Sequence, residues 1–246
     1  MASYTGMVAG TFIDRPNRFI AHVLIDGTIE TCHVKNTGRC RELLLPGAKV
    51  WCQTHDSQTR KTKYSLIAVE KGTRLINMDS QIPNQAAFEW IQAGGLGFVP
   101  DLIRRESVFL DSRFDFYLEY GERKVYLEVK GVTLEKQGRA MFPDAPTQRG
   151  TKHIKGLQQA VSQGYEAYVL FVIQMDQITS MSPNWATDRA FSQQLCQAAQ
   201  AGVHILAMQC QVTPHTIQIT KQVRVELDHP EEAESEGSKS FKSAPC

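Results

Sequence analysis

The chain has 246 residues, of which 42% are hydrophobic and 22% are charged, the composition of an ordinary globular protein with room for two modest domains. Its net charge of +1 is unevenly distributed, because six acidic residues and two lysines give the segment from Glu226 onward −4 and leave +5 on the preceding 225 residues. No run of 18 apolar residues is present and the first residues lack the pattern of a signal peptide, so we expect a cytoplasmic protein with no membrane partner.

The first third of the chain has the pattern of a small β-barrel. Short runs rich in β-branched and aromatic residues occupy positions 4–13, 19–25, 29–34, 49–54 and 64–69, and Asp26-Gly27 suits a two-residue hairpin turn. Five or six short strands within about 80 residues are typical of an oligonucleotide-binding (OB) barrel. We therefore predict an OB-like nucleic-acid-binding barrel over residues 1–83, although a fold alone does not establish that function.

The loop after the third predicted strand holds the sharpest motif of the barrel. Gly38 permits a tight turn, and its neighbours offer polar groups and positive charge for phosphate. We predict nucleic-acid contacts for Asn36, Thr37, Arg39 and Arg41. The same segment would equally form a surface turn in which Thr37 caps a short helix. A second basic cluster, which we interpret as a solvated loop, follows at Arg60, Lys61 and Lys63.

The pattern changes near residue 83, where we place the domain boundary. Residues 84–93 predict a helix with Asn84 as its N-cap and Gly94-Gly95 as its stop. Glu89 on this helix is a candidate third metal-binding carboxylate, and a solvent-facing glutamate is the alternative.

The central feature of the second domain is a predicted β-hairpin over residues 112–130. Apolar and polar residues alternate on both sides of a break at 119–123, so the second strand presents Glu128 and Lys130 on one face. Asp115 lies on the first strand. Two carboxylates provide hard oxygen ligands for Mg²⁺ or Mn²⁺, and a lysine two residues on can orient water or stabilise charge on phosphorus. The spacing resembles the Asp…Glu-x-Lys pattern of the PD-(D/E)xK nucleases, although Glu and Lys also occur together as a solvated pair on edge strands.

Downstream, a loop with two prolines leads into a predicted helix capped by Thr147 or Thr151. Its first turns carry the basic residues Arg149, Lys152, His153 and Lys155. Cations at a helix amino terminus oppose the helix dipole, and attraction to a polyanion would explain them. His153 is a candidate proton carrier or phosphate donor, and a structural histidine is the alternative.

The remaining elements alternate between strand and helix. A buried strand over 165–174, a helix over 184–201 and a strand over 203–211 predict a mixed sheet flanked by helices, followed by a strand pair within 216–227. The fold class expected is thus α/β (α+β overall), with an OB-like barrel at 1–83, a nuclease-like mixed-sheet domain at 84–227 and an acidic disordered tail at 228–246.

The combined motifs resemble the sugar fermentation stimulation protein (SfsA) family. The resemblance rests on Phe142-Pro143-Asp144-Ala145, Thr147, Arg149-Gly150 and Lys152-His153 after Glu128-Val129-Lys130, and on Arg18-Phe19 and His33 with Asn36-Thr37-Gly38. It implies an OB-like barrel joined to a PD-(D/E)xK domain, DNA binding and a link to sugar-utilisation genes in bacteria. It supports Asp115, Glu128 and Lys130 as the catalytic core and Glu89 as a weaker metal ligand. It also strengthens His153 and Arg149 and adds Arg18 to the predicted nucleic-acid-binding residues.

Three functions remain open at this point. The first is a Mg²⁺- or Mn²⁺-dependent nuclease acting on DNA, or on RNA, through backbone contacts with weak sequence specificity. The second is a non-catalytic DNA-binding regulator of sugar (maltose-type) metabolism genes that retains the nuclease fold. The third is a metal-dependent enzyme acting on a small phosphorylated metabolite, which the spread of basic residues over both domains disfavours.

Overall fold

The computed structural model describes residues 1–36, 38, 40–56 and 59–228. A short first strand, β1 (Ala2–Ser3), precedes a barrel built from β2 (Met7–Asn17), β3 (Ile20–Ile25), β4 (Thr28–Val34), β5 (Lys49–Thr54), β6 (Tyr64–Lys71) and the added edge strand β7 (Arg74–Asn77). The sheet order is β4-β3-β2-β5-β6-β7, and a parallel pairing of β4 with β6 closes five strands into a barrel. The predicted OB-like barrel is confirmed.

The hairpin turn between β3 and β4 has the residue types that its geometry requires. Asp26 and Gly27 have φ angles of 48° and 79°. Two successive positive φ values are those of the tight turns that join twisted antiparallel strands, and Asp-Gly is a preferred pair there. The predicted two-residue turn is therefore present.

The second domain is a mixed sheet flanked by helices, as predicted. Its elements are α1 (Ile82–Gln92), β8 (Leu102–Phe109), β9 (Ser112–Tyr120), β10 (Arg123–Val132), β11 (Glu135–Lys136), β12 (Arg139–Phe142), α2 (Gln148–Ser162), β13 (Glu166–Ile173), β14 (Ser180–Pro183), α3 (Arg189–Gln200), β15 (His204–Val212), β16 (Thr216–Gln222) and β17 (Arg224–Val225). The main sheet runs β1-β16-β15-β13-β10-β9-β8, and a small second sheet runs β11-β12-β14-β17. Strands β10, β13 and β15 are parallel, and β8 and β9 extend the sheet antiparallel.

Helices cover both faces of the main sheet. Ile154 and Leu157 of α2 and Leu195 of α3 are buried on one face, within a core that continues without a break into the barrel. Ala87 and Ile91 of α1 pack on the opposite face, against side chains of β9, β10 and β13. Because one apolar core serves the barrel and one face of the sheet, the two domains pack as a unit.

A buried amide joins the two domains where β7 meets β13. Gln174 follows β13, and its Nε2 donates to the carbonyl and side-chain oxygens of Asn77 at 3.0 and 3.2 Å and to the carbonyl of Asp79 at 3.0 Å. Each contact satisfies a polar group that would otherwise be buried unpaired. The segment between barrel and α1 is therefore fixed against the sheet that carries the candidate site.

The structure differs from the sequence prediction at several boundaries. Residues 2–3, predicted as part of the barrel, form β1 and pair with β16 of the second domain. Strand β8 and the small sheet were not predicted, since their strands lack a regular alternation. Helix α3 begins at Arg189 instead of residue 184, because Asp188 accepts a hydrogen bond from Phe191 N and caps it. Apart from Asp228, the predicted disordered tail lies outside the described residues.

Candidate functional site

The two predicted carboxylates lie next to each other on β9 and β10. These strands are paired antiparallel up to Phe116 and Leu127, and Asp115 and Glu128 are the next residue on each strand. Asp115 Oδ2 accepts a hydrogen bond from the backbone N–H of Val129 at 2.7 Å. The hairpin itself therefore brings the two acids together, as the sequence predicts.

Strand β9 is irregular where it carries Asp115. Phe114 packs towards α2, where a Cβ on Gly156 would lie 3.0 Å from its ring, whereas Phe116 stacks on Phe88 of α1. Residues two apart on a regular strand share a face, so the alternation breaks between them. The break directs Asp115 towards α1, where Asn84 Nδ2 donates to its Oδ1 at 2.7 Å.

Glu128 is buried and only half of its carboxylate has hydrogen-bond partners. Its side chain is 4% exposed, and Oε1 accepts from Lys130 Nζ at 2.6 Å and lies 2.5 Å from His153 Nδ1. Burial alone would raise the pKa of Glu128, but the bonds from His153 and Lys130 lower it. Oε2 is also buried and has no partner among the described residues. A buried carboxylate oxygen without a donor is costly unless another cation reaches it.

Asp115 shows the opposite electrostatic behaviour. Burial, followed by the negative charge of Glu128, raises the pKa of Asp115 to about 6, and the hydrogen bonds from Val129 and Asn84 offset part of that rise. Two adjacent buried carboxylates disfavour each other's charge. A divalent cation between them would remove this penalty, so the pair fits the metal that the sequence predicts.

His153 reaches Glu128 because α2 begins at Gln148 and His153 lies in its second turn. Thr147 Oγ1 accepts from Gly150 N and caps the helix, and Gly150 and Gly156 allow close packing on that face. Arg149 Nε lies 3.5 Å from His153 Nε2, one turn away. An imidazole with its hydrogen on Nδ1 satisfies both contacts, donating to Glu128 and accepting from Arg149.

The structure does not bring Glu89 to the two carboxylates. Its side chain contacts the amino group of Met1 at 2.6 Å and Gln85 Nε2 at 2.9 Å. In the part of the chain that the structure describes, no group of three histidine, cysteine or acidic side chains is arranged to hold a metal. The predicted set of Glu89, Asp115 and Glu128 is therefore not assembled, and α1 contributes Asn84 instead.

The positions of Asn84 and Glu89 around α1 explain why Asn84, and not Glu89, reaches Asp115. Asn84 and Phe88 are four residues apart and both face β9, so they share one face of α1. Glu89 lies one residue further round the helix. The sequence could have indicated this orientation through Phe88, because an apolar residue marks the face of α1 that packs on the sheet. Asn84, predicted as the N-cap, lies within the first turn, and Gln81 precedes the helix.

The predicted nucleic-acid-binding residues occupy separate places around this centre. Arg18 and Arg41 line a cavity of ≈400 Å³ in the barrel together with Arg15. Lys152 and Lys155 line another, of ≈590 Å³, at the start of α2. Lys152 is also paired with Asp111 at 3.1 Å. The remaining predicted contacts Thr37 and Arg39 lie outside the described residues.

The barrel loop and the loop before α2 meet in space although they are about 100 residues apart in sequence. Asn36 Oδ1 accepts from Gly38 N at 2.8 Å, and Arg15 holds the loop through the carbonyls of Asn36 and Gly38. A Cβ on Gly38 would lie 2.4 Å from Asp144 Oδ2. The absence of a side chain at Gly38 therefore leaves room for the Asp144 carboxylate beside the barrel loop.

Comparisons with known proteins agree with this architecture. A model described as the SfsA N-terminal OB domain matches residues 13–78, and one described as the sugar fermentation stimulation protein RE domain matches residues 81–216. A sugar fermentation stimulation protein homolog of Desulfitobacterium hafniense is 56% identical over 226 residues, which cover 91% of this chain and 98% of the relative. One from Ruminiclostridium cellulolyticum is 53% identical over 224 residues, covering 91% and 99%.

A solved structure also matches most of the chain. It is that of Pyrococcus furiosus SfsA in complex with Ca²⁺, with a TM-score of 0.82, 27% sequence identity and coverage of 91% of this chain and 97% of the other. Among the described residues, no helix is long and apolar enough to cross a membrane.

Proposed function

Because the chain belongs to the sugar fermentation stimulation protein family, we propose that it binds nucleic acid, in the first place DNA, and hydrolyses it as a Mg²⁺- or Mn²⁺-dependent nuclease. The observation that carries this proposal is the buried, unpartnered Oε2 of Glu128 beside Asp115, whose pKa is raised to about 6 by burial and by Glu128. Lys130 lies on the same strand face. A carboxylate pair of this kind suits a hard divalent cation.

Asp115 and Glu128 would hold the metal through their carboxylate oxygens. The Ca²⁺ of the Pyrococcus furiosus relative supports an oxygen-ligand cation site in this family. A bound Mg²⁺ or Mn²⁺ supplies a water of lowered pKa and neutralises charge on the phosphate. Asn84 orients Asp115, and its hydrogen bond is of the kind that fixes a metal-binding carboxylate.

The side chains around the carboxylates can act on water and phosphate. Lys130 and His153 both contact Glu128 Oε1, at 2.6 and 2.5 Å, and are thereby held within reach of the same centre. Lys130 Nζ orients the attacking water and stabilises charge on the phosphate oxygens. Arg149, one turn from His153 on α2, binds the phosphate through its guanidinium, and His153 carries a proton to the leaving oxygen after taking one up at Nε2.

Basic residues of both domains would bind the phosphate backbone. Arg18, Arg41, Lys152 and Lys155 are exposed or half-exposed around two cavities, and contacts of this type position nucleic acid without reading its sequence. We expect weak sequence specificity and an affinity that falls steeply between about 50 and 200 mM salt. We place this activity in the cytoplasm, in keeping with the absence of a disulfide among the five cysteines that the structure describes.

A cleavage assay tests the proposal. Wild type, Asp115→Ala and Lys130→Ala are compared on labelled single- and double-stranded DNA and RNA with Mg²⁺ or Mn²⁺, and Lys124→Ala, on the exposed far end of β10, is the matched control. We expect metal-dependent cleavage that falls by at least about 100-fold in the two site variants while binding stays within about threefold. A wild type that binds DNA and cuts nothing with either metal overturns the enzyme and leaves a DNA-binding regulator.

A further inference from the structure

A third cavity, outside the catalytic centre, is lined almost entirely by basic and polar side chains. It has a volume of ≈400 Å³ and is lined by His33, Lys35, Arg60, Lys61, Thr62 and Gln81. These residues come from β4, the loop between β5 and β6, and the position before α1. The sequence alone suggested a solvated loop for Arg60 and Lys61, but the fold brings that loop against the end of β4.

Little negative charge balances this cavity. Lys35 pairs with Asp79 at 2.9 Å, whereas Arg60 and Lys61 have no carboxylate partner among the described residues. Arg60 Nη2 instead donates to Ser65 Oγ at 3.0 Å, which fixes its guanidinium at the edge of the cavity. Two full positive charges are therefore left uncompensated.

Two histidines nearby respond to the positive charges of this cavity. Burial, then Arg60 and Lys35, lower the pKa of His33, and Asp79 opposes them weakly. The same causes lower the pKa of His55, with His33 adding to them and Asp56 opposing, and His55 Nε2 lies 3.0 Å from Ser65 Oγ. Burial is the largest cause for both histidines, and the positive charges of Arg60 and Lys35 add to it.

The charge of the cavity favours a terminal phosphate over an internal phosphodiester. An internal phosphodiester carries one negative charge, whereas a phosphomonoester carries about −1.5 to −2 at neutral pH. Arg60 and Lys61, which have no carboxylate partner among the described residues, together match the second group. The volume suffices for a terminal phosphate together with its nucleotide, being within the usual range of about 300–1,000 Å³ for small-ligand sites.

The cavity is also close to the catalytic carboxylates. Gln81 lines the cavity, and Asn84, three residues later, donates to Asp115. Three residues of helix correspond to a rise of about 4.5 Å. The start of α1 therefore connects the cavity to the proposed site of cleavage.

We propose that His33, Lys35, Arg60 and Lys61 form a binding site for the terminal phosphate of a nucleic-acid strand, which selects strand ends for the active site. The selection of ends rests on the proposed nuclease function, whereas the binding of the phosphate does not. Arg60 and Lys61 supply the charge, Lys35 is held in place by Asp79, and Ser65 orients Arg60.

Binding without metal tests this site separately from catalysis. The full chain in EDTA is titrated by fluorescence anisotropy with one short single-stranded oligonucleotide that carries a 5′-phosphate, a 3′-phosphate or hydroxyls at both ends. We expect one phosphorylated form to bind about five- to tenfold more tightly than the hydroxyl form, as charge-assisted hydrogen bonds allow. The end that is preferred identifies the strand polarity.

A double variant and a matched control complete the test. Arg60→Gln with Lys61→Gln should abolish the preference, whereas Lys124→Gln with Lys221→Gln, which removes the same charge from exposed positions on β10 and β16, should keep it. Equal binding of all three oligonucleotides to the wild type overturns the proposal, as does an unchanged preference in the double variant. Metal-dependent cleavage without any end preference would leave the nuclease standing and remove only this site.

Discussion

Two buried glutamates, Glu128 on β10 and Glu135 on β11, show how similar surroundings lead to different roles. Both side chains are at most 4% exposed and both contact two basic side chains. Every oxygen of Glu135 has a partner: Oε1 accepts from Gly138 N at 2.6 Å and from Arg74 at 2.7 Å, and Oε2 accepts from Lys71 at 3.1 Å. Glu128 Oε2 has none among the described residues.

The neighbouring groups complete the contrast. Lys71 and Arg74 belong to the barrel strands β6 and β7, so Glu135 joins the two domains. Glu128 lies beside Asp115, whose pKa is raised by burial and by Glu128. A fully paired buried carboxylate stabilises a structure, whereas a half-paired one next to a second acid is arranged for a cation.

The largest expected effect separates the two glutamates by activity. Glu128→Gln should lower cleavage by more than about 1,000-fold, because it removes a metal-binding charge and the anchor of Lys130 and His153. Glu135→Gln should leave the activity of the folded protein within about threefold. Rates are measured in saturating Mn²⁺ at 20 °C, after circular dichroism has established that each variant is folded. Equal losses in the two variants would refute the functional distinction.

We expect Glu135→Gln to lower the stability of the protein, although it leaves the activity nearly unchanged. Burial would raise the pKa of Glu135, but the bonds from Gly138, Arg74 and Lys71 lower it to about 2. A glutamate in the unfolded chain titrates near pH 4.3, so the ionised carboxylate stabilises the fold above about pH 5, and this contribution disappears as the pH falls towards 2. Allowing for the partial exposure of Lys71, we expect Glu135→Gln to cost about 2 kcal/mol at pH 7.

Denaturant unfolding at pH 7 and at pH 3 measures this cost. The difference between wild type and Glu135→Gln should shrink at pH 3, where part of the wild-type carboxylate interaction is lost. Glu106→Gln is the matched control, because the ion pair of Glu106 with Arg113 is exposed on both sides and should contribute less than about 0.5 kcal/mol. A Glu135 variant as stable as this control would show that the link between domains is not stabilising.

The parts of the site that lie close together in sequence were predictable. Alternation places Glu128 and Lys130 on one face of β10, and the short turn of the same hairpin brings Asp115 on β9 beside them. His153 and Arg149 follow from the cap of α2 and a spacing of one helical turn. The barrel was predictable for the same reason, because its strands are mostly paired in chain order.

The parts that depend on packing between distant segments were not predictable. Which side of α1 faces the sheet is decided by Phe88 against Phe116, and a rotation by one residue exchanges Glu89 for Asn84. The cavity around Arg60 depends on a barrel loop meeting both β4 and the start of α1. Periodicity reports a helix face or a loop, and it does not report which distant element covers it.

The increase in Tm on metal binding is a smaller effect that also distinguishes Glu128 from Glu135. A cation that binds only the folded state at ten times its Kd stabilises it by about 1.4 kcal/mol. Adding Mn²⁺ to metal-free protein should therefore raise the Tm of wild type and of Glu135→Gln alike, and EDTA should reverse the shift. Glu128→Gln should show no shift at the same concentration. A shift that Glu128→Gln keeps and Glu135→Gln loses would show that the metal binds at Glu135 and not at Glu128.

The last prediction tests which residue of α1 serves the proposed metal centre. Asn84→Ala removes the hydrogen bond that orients Asp115, and loss of such a partner typically weakens metal binding or activity by about 10- to 100-fold. Glu89→Gln should change both by less than about threefold, because the Glu89 carboxylate contacts Met1 and Gln85. The midpoint of Mn²⁺ activation is measured for each variant, with Gln85→Ala as the control from the same helix. If Glu89→Gln moves that midpoint and Asn84→Ala does not, Glu89 is the metal-binding residue that the sequence predicts, and α1 must rotate to deliver it.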